Sequence, residues 1–337
     1  MQAWDRVRDL VTGRWFIKTV FFAYFVFACV ELLRFAAWAK GQGPYVPRPE
    51  IVAGMLPVGH FTSFFAWLRG GGWDTLLPAG LVIILGAFAT SVLFKRGFCG
   101  FICPVGTVWE AFSALGRKLL GKHRPRVPRW LDLTGRGFRY VLTAAVVAIL
   151  LLVPLSEAVA FRQLPYMWVA DIKILSIMLN PIYLGVVLFA GALSMLFGPV
   201  WCRYLCPLGG MYSAVSVVSP CAVRREEDNC IHCSKCTKVC HAFIDVESKV
   251  TVRDTECDGC MDCVKVCPAE NCLEATAPGG VRIAPWVWPL LVVGLWLAIF
   301  GVAKVTGNWD SRVPPDQVRA AVQSGVLERP SVPQNGQ

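Results

Sequence analysis

The chain has 337 residues, of which 55% are hydrophobic and only 17% are charged, and its mean hydropathy is +0.52. This composition is too apolar for an ordinary soluble domain and indicates several membrane spans. The net charge of +10 does not indicate nucleic-acid binding. Ten basic residues lie at 95–139, beside predicted membrane helices, and no soluble module carries a basic stripe.

Five segments are long and apolar enough to cross a bilayer about 30 Å thick. They lie near residues 15–38, 77–94, 138–155, 179–200 and 285–303. Basic residues concentrate in the N-terminal segment and in the loop 95–137, so the positive-inside rule places both in the cytoplasm. The sequence therefore predicts a bacterial inner-membrane protein in contact with lipid. Its predicted parts are a membrane domain at 1–220, a cytoplasmic domain at 221–282, a fifth span at 285–303 and a periplasmic tail at 304–337.

The predicted outer half of the membrane domain contains two polar features. The first span carries Glu31 and Arg34, whose spacing of three residues favours an ion pair within one helix. His60 lies in the apolar stretch 56–65, for which we predict a short half-inserted helix on the outer face. A quinone head group needs a hydrogen-bond partner beside apolar surface, so His60 is a candidate quinone contact. The alternative is an interfacial histidine with no chemical role.

Two stretches of the membrane domain, residues 97–116 and 200–219, are similar at an offset of 103 residues. Both contain a C-x3-C-P motif, formed by Cys99, Cys103 and Pro104 and by Cys202, Cys206 and Pro207. Both follow a predicted outside-to-inside span. This shared position predicts two parallel two-helix repeats related by an axis along the membrane normal. Proline suits the first position of a helix, so an amphipathic helix on the cytoplasmic face is expected after each motif.

The four motif cysteines have three interpretations. Cysteines at i and i+4 share one face of a helical turn, so the two pairs can converge at the cytoplasmic surface. Converging thiolates favour a third Fe–S cluster or another soft metal site. A redox-active dithiol is the second interpretation, and the packing of inert buried cysteines is the third.

The predicted cytoplasmic domain carries eight cysteines in two identical frames, C-x2-C-x2-C-x3-C. In such a frame three thiolates bind one [4Fe-4S] cluster and the fourth ligates the neighbouring cluster. The predicted ligands are Cys230, Cys233, Cys236 and Cys267 for cluster 1, and Cys257, Cys260, Cys263 and Cys240 for cluster 2. Structural zinc prefers widely separated paired knuckles, and disulfides are disfavoured in the cytoplasm. The remaining Cys29, Cys221 and Cys272 match no frame and are interpreted as packing residues.

With the duplicated C-x3-C-P motif, the spans and the two frames taken together, residues 15–280 resemble the NapH/MauN/NosR-type membrane polyferredoxins. The resemblance implies an α-helical integral membrane protein with an inserted α+β bacterial two-cluster ferredoxin domain. It implies that the eight frame cysteines hold two [4Fe-4S] clusters. NapH-like members carry electrons from quinol to a periplasmic reductase, and NosR- and MauN-like members support the maturation or activity of a periplasmic metalloenzyme.

The expected function is electron transfer within a complex rather than catalysis by this chain alone. We expect a subunit that links the quinone pool or a neighbouring redox subunit to a partner oxidoreductase. The alternative is an accessory factor that supplies electrons for maturation of a periplasmic metalloenzyme. The tail 310–337 is rich in Pro, Gln and Ser and poor in apolar residues, which predicts weak order.

Overall fold

A computed structural model describes residues 13–121 and 127–327. Part of the basic N-terminal segment lies outside the described residues. All of the tail beyond residue 327 also lies outside them. The described helices are α1 (Arg14–Ala39), α2 (Pro57–Leu68), α3 (Pro78–Leu93), α4 (Pro104–Leu120), α5 (Arg129–Leu152), α6 (Leu155–Arg162), α7 (Pro165–Met178), α8 (Pro181–Phe197), α9 (Pro207–Val215), α10 (Lys235–Val239), α11 (Asp262–Lys265), α12 (Val287–Val305) and α13 (Pro315–Gln323). The described residues also form four short strands: β1 (Ala222–Arg225), β2 (Thr251–Val252), β3 (Leu273–Thr276) and β4 (Arg282–Ile283).

Within the described residues, three helices are long and apolar enough to cross a membrane, namely α1, α5 and α12. Helices α7 and α8 meet at a bend of 70° and pass the same test only as a pair. The predicted spans at 77–94 and 179–200 correspond to α3 and α8, which have 16 and 17 residues. Both are shorter than the roughly 20 residues that a straight span requires. The five-span layout therefore stays a prediction.

The chain divides into two compact units, each described here by itself. Unit 1 contains the described residues of 1–22, 86–144 and 189–298, and unit 2 contains those of 23–85, 145–188 and 299–337. In unit 1 the strands form one antiparallel sheet in the order β2-β1-β3-β4. Val223 at the centre of β1 faces Val252 on one side and Ala275 on the other, and all three are buried. The sheet and the short helices α10 and α11 position the frame cysteines.

The core of unit 2 shows that the tail is more ordered than its composition predicts. Leu32 and Phe35 of α1 pack in one buried cluster with Val169 and Ile172 of α7. Helix α13 adds Val318, Ala321 and Val322, whose spacing gives it one apolar face. The prediction of weak order was therefore wrong for residues 315–323, because three well-spaced apolar side chains suffice to dock a nine-residue helix. Residues 328–337 lie outside the described residues.

Glycines allow α4 and α8 to approach closely in unit 1. A Cβ atom added at Gly116 of α4 would lie 2.0 Å from the carbonyl oxygen of Met195. A Cβ added at Gly191 of α8 would lie 2.9 Å from the ring of Phe112. Small residues at such crossings let two backbones pack directly against each other.

We expect Gly116→Ala to destabilise the protein by about 1–3 kcal/mol, because a backbone carbonyl cannot move aside as a side chain can. The matched control is Gly137→Ala in α5, where an added Cβ has nothing within 4 Å. That substitution should stabilise its helix by about 0.5–1 kcal/mol. Thermal unfolding of both variants in detergent measures the difference, and equal melting temperatures would contradict the close crossing.

Candidate metal centres

The two C-x3-C-P motifs have the same local geometry. Each C-x3-C segment forms a single π-helical turn, at Phe98–Ile102 and at Trp201–Leu205, and the motif proline opens α4 or α9. π-Helical turns are frequent at functional sites. The second cysteine of each motif, Cys103 or Cys206, is the N-cap of the following helix. Its sulfur accepts a hydrogen bond of 3.4 Å from a glycine backbone N–H.

The structure brings the four motif cysteines together in unit 1. Burial, with the neighbouring sulfurs of Cys103 and Cys206, raises the pKa of Cys99 to about 12. Burial also raises the pKa of Cys202 well above its ordinary value, and the sulfurs of the other three motif cysteines add to the shift. Each of the six pairs of sulfurs is therefore close enough for mutual repulsion between thiolates. The raised pKa values keep the four thiols protonated unless a cation binds them, and their all-sulfur donor set would suit an iron–sulfur cluster or zinc.

The eight frame cysteines surround two cavities, and the predicted sets are the sets that the structure brings together. The lining of cavity 1 includes Cys230, Cys233, Cys236 and Cys267. The lining of cavity 2 includes Cys240, Cys257, Cys260 and Cys263. The last cysteine of each frame thus lies beside the first three of the other frame. The four frame cysteines at each cavity supply the donor set of a [4Fe-4S] cluster.

The two frames wrap their cavities with the same backbone conformation. His232 and Gly259, each two residues after the first cysteine of a frame, have φ values of 53° and 67°. Ser234 and Met261, each directly after the second cysteine, have φ values of 56° and 63°. Non-glycine residues in this left-handed region are uncommon and occur where the surrounding structure requires them. Here the turns direct the sulfurs of the first three cysteines of each frame toward one centre.

A network of buried charges adjoins cavity 2, and the sequence analysis did not anticipate it. Arg14, at the start of α1, pairs with Glu110 of α4 at 2.5 Å and with Asp258 at 3.0 Å, and it is only 4% exposed. Lys18 pairs with the same Glu110 and is 1% exposed. Burial would raise the pKa of Glu110, but Arg14, His241 and Lys18 outweigh it and hold this pKa at about 2. The sequence signal was present in the basic N-terminal segment, which was interpreted only as a topology signal.

His241 and Cys272 also have surroundings that the frames did not predict. His241 Nε2 lies 2.9 Å from Asp258 Oδ2, and its Nδ1 lies 3.9 Å from the Cys260 sulfur. Cys272 was interpreted as a packing residue, yet it lines cavity 1 beside the predicted ligands and is 3% exposed. Cys272 directly precedes β3, and the pairing of β3 with β1 places it there, so no sequence signal indicated it.

In unit 2, the candidate quinone contact His60 is more buried than an interfacial position predicts. The side chain is 2% exposed, and its Nε2 atom has no hydrogen-bond partner within the part of the chain that the structure describes. Its ring packs against Gly80 of α3, where an added Cβ would lie 2.0 Å from Nδ1. The predicted ion pair of the first span is present, with Arg34 and Glu31 at 2.9 Å.

Comparison with known proteins assigns the cysteine regions. A family model described as a 4Fe-4S binding domain matches residues 76–123 and 179–220, which contain both C-x3-C-P motifs. A second, described as a 4Fe-4S dicluster domain, matches residues 222–268. YccM of Escherichia coli (strain K12), provisionally named for electron transport, is 32% identical over 96% of this chain and 93% of its own length. The chain belongs to the NapH/MauN-type membrane polyferredoxins.

Two other relatives place this polyferredoxin among named ferredoxin-type proteins. The methylamine utilization ferredoxin-type protein MauN of Methylorubrum extorquens is 32% identical over 56% of this chain and 62% of its own length. The ferredoxin-type protein NapH of Escherichia coli (strain K12) is 27% identical over 54% and 63%. No solved structure matches the polyferredoxin significantly. The chain is an iron–sulfur electron-transport protein of the membrane.

Proposed function

We propose that this chain is an inner-membrane electron-transfer subunit with three iron–sulfur centres. The frame cysteines would hold two [4Fe-4S] clusters, cluster 1 in cavity 1 and cluster 2 in cavity 2. Cys99, Cys103, Cys202 and Cys206 would hold a third centre, named here the motif centre. The observation that carries the proposal is that four or more cysteines come together in each of three places of unit 1. The clusters supply one-electron chemistry, and the protein supplies ligation, burial and spacing.

The motif centre is favoured over a redox dithiol by its four-fold donor set. A dithiol needs two cysteines, and it works best when a neighbouring charge lowers the pKa of one thiol. Here burial raises the pKa of Cys99 and Cys202, and both motifs contribute equally. The match of a 4Fe-4S family model to the two motif regions supports iron over zinc.

We further propose that the subunit exchanges electrons with the quinone pool or with a neighbouring redox subunit. The support for a quinone contact is that His60 offers a buried Nε2 atom without a hydrogen-bond partner among the described residues. A quinone head group would accept or donate a hydrogen bond at that atom.

Quinol is expected to bleach the visible Fe–S absorbance of the anaerobic, oxidised protein. His60→Leu should slow the bleaching because the hydrogen-bond partner is lost, whereas Arg34→Gln, at an exposed ion pair of unit 2, should not. Stopped-flow spectroscopy with a short-chain quinol measures both. If quinol fails to reduce even the unmodified protein in the presence of its native partners, the quinone link is wrong.

A second candidate function is the supply of electrons for maturation of a periplasmic metalloenzyme. It is favoured by the similarity to MauN and to the regulatory protein NosR of Pseudomonas aeruginosa, which is 31% identical over 46% of this chain. The two functions are separated by what copurifies with the protein. A quinol-linked subunit should copurify with redox subunits in stable proportion, and a maturation factor should capture its metalloenzyme only before the metal site is complete.

A further inference from the structure

We infer that the proposed clusters stand in a fixed order, with cluster 2 next to the motif centre and cluster 1 at the surface where a partner protein exchanges electrons. This order rests on the proposed function and specifies the path that electrons take through the three centres. It depends on three features of unit 1: contacts between the motif turns and the cavity 2 loop, a group of buried arginines, and the difference in burial between the two cavities.

The first C-x3-C-P turn touches the loop of cavity 2 directly. Gly100, next to Cys99, lies so close to this loop that an added Cβ would be 2.6 Å from the carbonyl oxygen of Asp258. Asp258 follows the cavity 2 cysteine Cys257. Arg14 joins the same two segments, because its Nε donates to the Gly100 carbonyl at 3.1 Å and its guanidinium pairs with Asp258 at 3.0 Å.

The second motif is joined to the cavity 2 loop by two further arginines. Arg139 of α5 donates to the Cys202 carbonyl at 3.3 Å and pairs with Glu256 at 2.5 Å. Glu256 precedes Cys257. Arg203, next to Cys202, donates to the Ala242 carbonyl at 2.7 Å. Ala242 lies two residues after Cys240, the fourth cysteine of cavity 2.

A fourth arginine completes what we call the arginine group: Arg14, Arg96, Arg139 and Arg203. Arg96, three residues before Cys99, donates to the Glu256 carbonyl at 2.5 Å. All four side chains are buried. A guanidinium has rigid, forked donors, so buried arginines of this kind fix the distance between the segments that they join. The arginine group thereby holds both motif turns against the cavity 2 loop.

Cavity 1 differs from cavity 2 in its surroundings. Apart from its cysteines, cavity 2 is lined only by buried residues, among them Val223, Ile244 and Met261. The lining of cavity 1 includes Ile231, which is 64% exposed, and the exposed Lys235. Cavity 1 has one buried arginine of its own, Arg225, which lies beside the Cys230 sulfur. The residues around the cavity 1 cysteines are therefore more exposed than those around the cavity 2 cysteines, and a partner protein can approach cavity 1 more closely.

The order is tested by electron paramagnetic resonance on the reduced full-length protein with a soluble paramagnetic chelate. We expect the chelate to speed the relaxation of one ferredoxin-type signal and to leave the other unchanged. Arg225→Lys and Arg139→Lys are a matched pair that assigns the signals, since each alters a buried arginine beside one cavity. Of the two ferredoxin-type clusters, Arg225→Lys should shift the reduction potential of the chelate-sensitive one only, and Arg139→Lys that of the insensitive one only.

The order is wrong if the chelate affects both signals equally, or if Arg139→Lys shifts the chelate-sensitive cluster. Failure of the proposed function gives a different result, because the protein would then contain fewer than about twelve irons, the content of three cubane clusters. Should Arg139→Lys fail to fold, Arg96→Lys serves in its place, since Arg96 bonds to the same Glu256.

A different observation supports a second inference, which concerns the fifth cysteine of cavity 1. Cys272 is buried, and its sulfur lies close to those of both Cys230 and Cys267. Its sulfur is 3.8 Å from the Glu226 carbonyl oxygen, the one backbone acceptor recorded for it in the described residues. We propose that Cys272 is a reserve ligand that completes iron coordination in cavity 1 when Cys267 is lost.

Iron content and visible absorbance test the reserve ligand without relying on activity. Cys267→Ala should keep the full iron content, and Cys267→Ala/Cys272→Ala should lose about four irons, the content of one cluster. Cys263→Ala is the matched control, because the described lining of cavity 2 includes no fifth cysteine. It should lose one cluster alone. The proposal is wrong if Cys267→Ala loses as much iron as the double variant.

Discussion

The double variant Cys99→Ser/Cys202→Ser is expected to lose about four irons per chain and to keep the two ferredoxin clusters, because each cubane contains four. One cysteine is removed from each motif, so two thiolates remain where four converge in the structure. Serine preserves the size of the side chain, and the N-cap sulfurs of Cys103 and Cys206 stay in place. The folded membrane domain should therefore persist without the motif centre.

The matched control for this variant is Cys29→Ser/Cys221→Ser. Neither cysteine belongs to a motif, a frame or the lining of either cavity. The control should keep its full iron and acid-labile sulfide content, and spectra of both variants should show unchanged ferredoxin clusters. If the motif variant has the same iron content as the control, the motif cysteines do not hold a cluster.

Removal of the Glu110 carboxylate is expected to cost about 3–5 kcal/mol of folding free energy, the usual effect of breaking a buried ion pair on one side. Glu110→Ala leaves Lys18 buried without its carboxylate and deprives Arg14 of its shortest ion pair. Because Arg14 also bonds to Gly100 and Asp258, the loss should loosen the motif turn and the cavity 2 loop together.

Thermal unfolding in detergent, followed by Fe–S absorbance, measures the effect of Glu110→Ala. The control is Glu31→Ala, whose partner Arg34 is 60% exposed. An exposed pair contributes about 0–1 kcal/mol, so the control should unfold close to the unmodified protein. Equal destabilisation by the two substitutions would show that the Glu110 network does not stabilise unit 1.

The sequence predicted the local features of the metal centres because short spacings determine them. Three cysteines within seven residues reach one centre whatever surrounds them, as at Cys230, Cys233 and Cys236. The proline of each C-x3-C-P motif opens a helix, as expected from its missing N–H and fixed φ. The family of the chain followed from the order of these motifs.

Contacts between distant segments could not be predicted in the same way. Arg14 and Asp258 are separated by 244 residues, and nothing in the composition of either segment indicates that they pair. Cys272 lies in cavity 1 because β3 pairs with β1, a register that depends on the whole sheet. His60 was expected at an interface, but the small Gly80 lets its ring pack inside unit 2.

The central claim is that this polyferredoxin holds three cubane clusters on cysteine sulfur. Its most direct test is the iron and acid-labile sulfide content of the anaerobically purified, unmodified protein, with zinc measured on the same sample. Three clusters require about twelve irons and about twelve sulfides per chain, and no stoichiometric zinc. About eight of each, with or without one zinc, would contradict the claim and leave the converging thiols of Cys99, Cys103, Cys202 and Cys206 with another role.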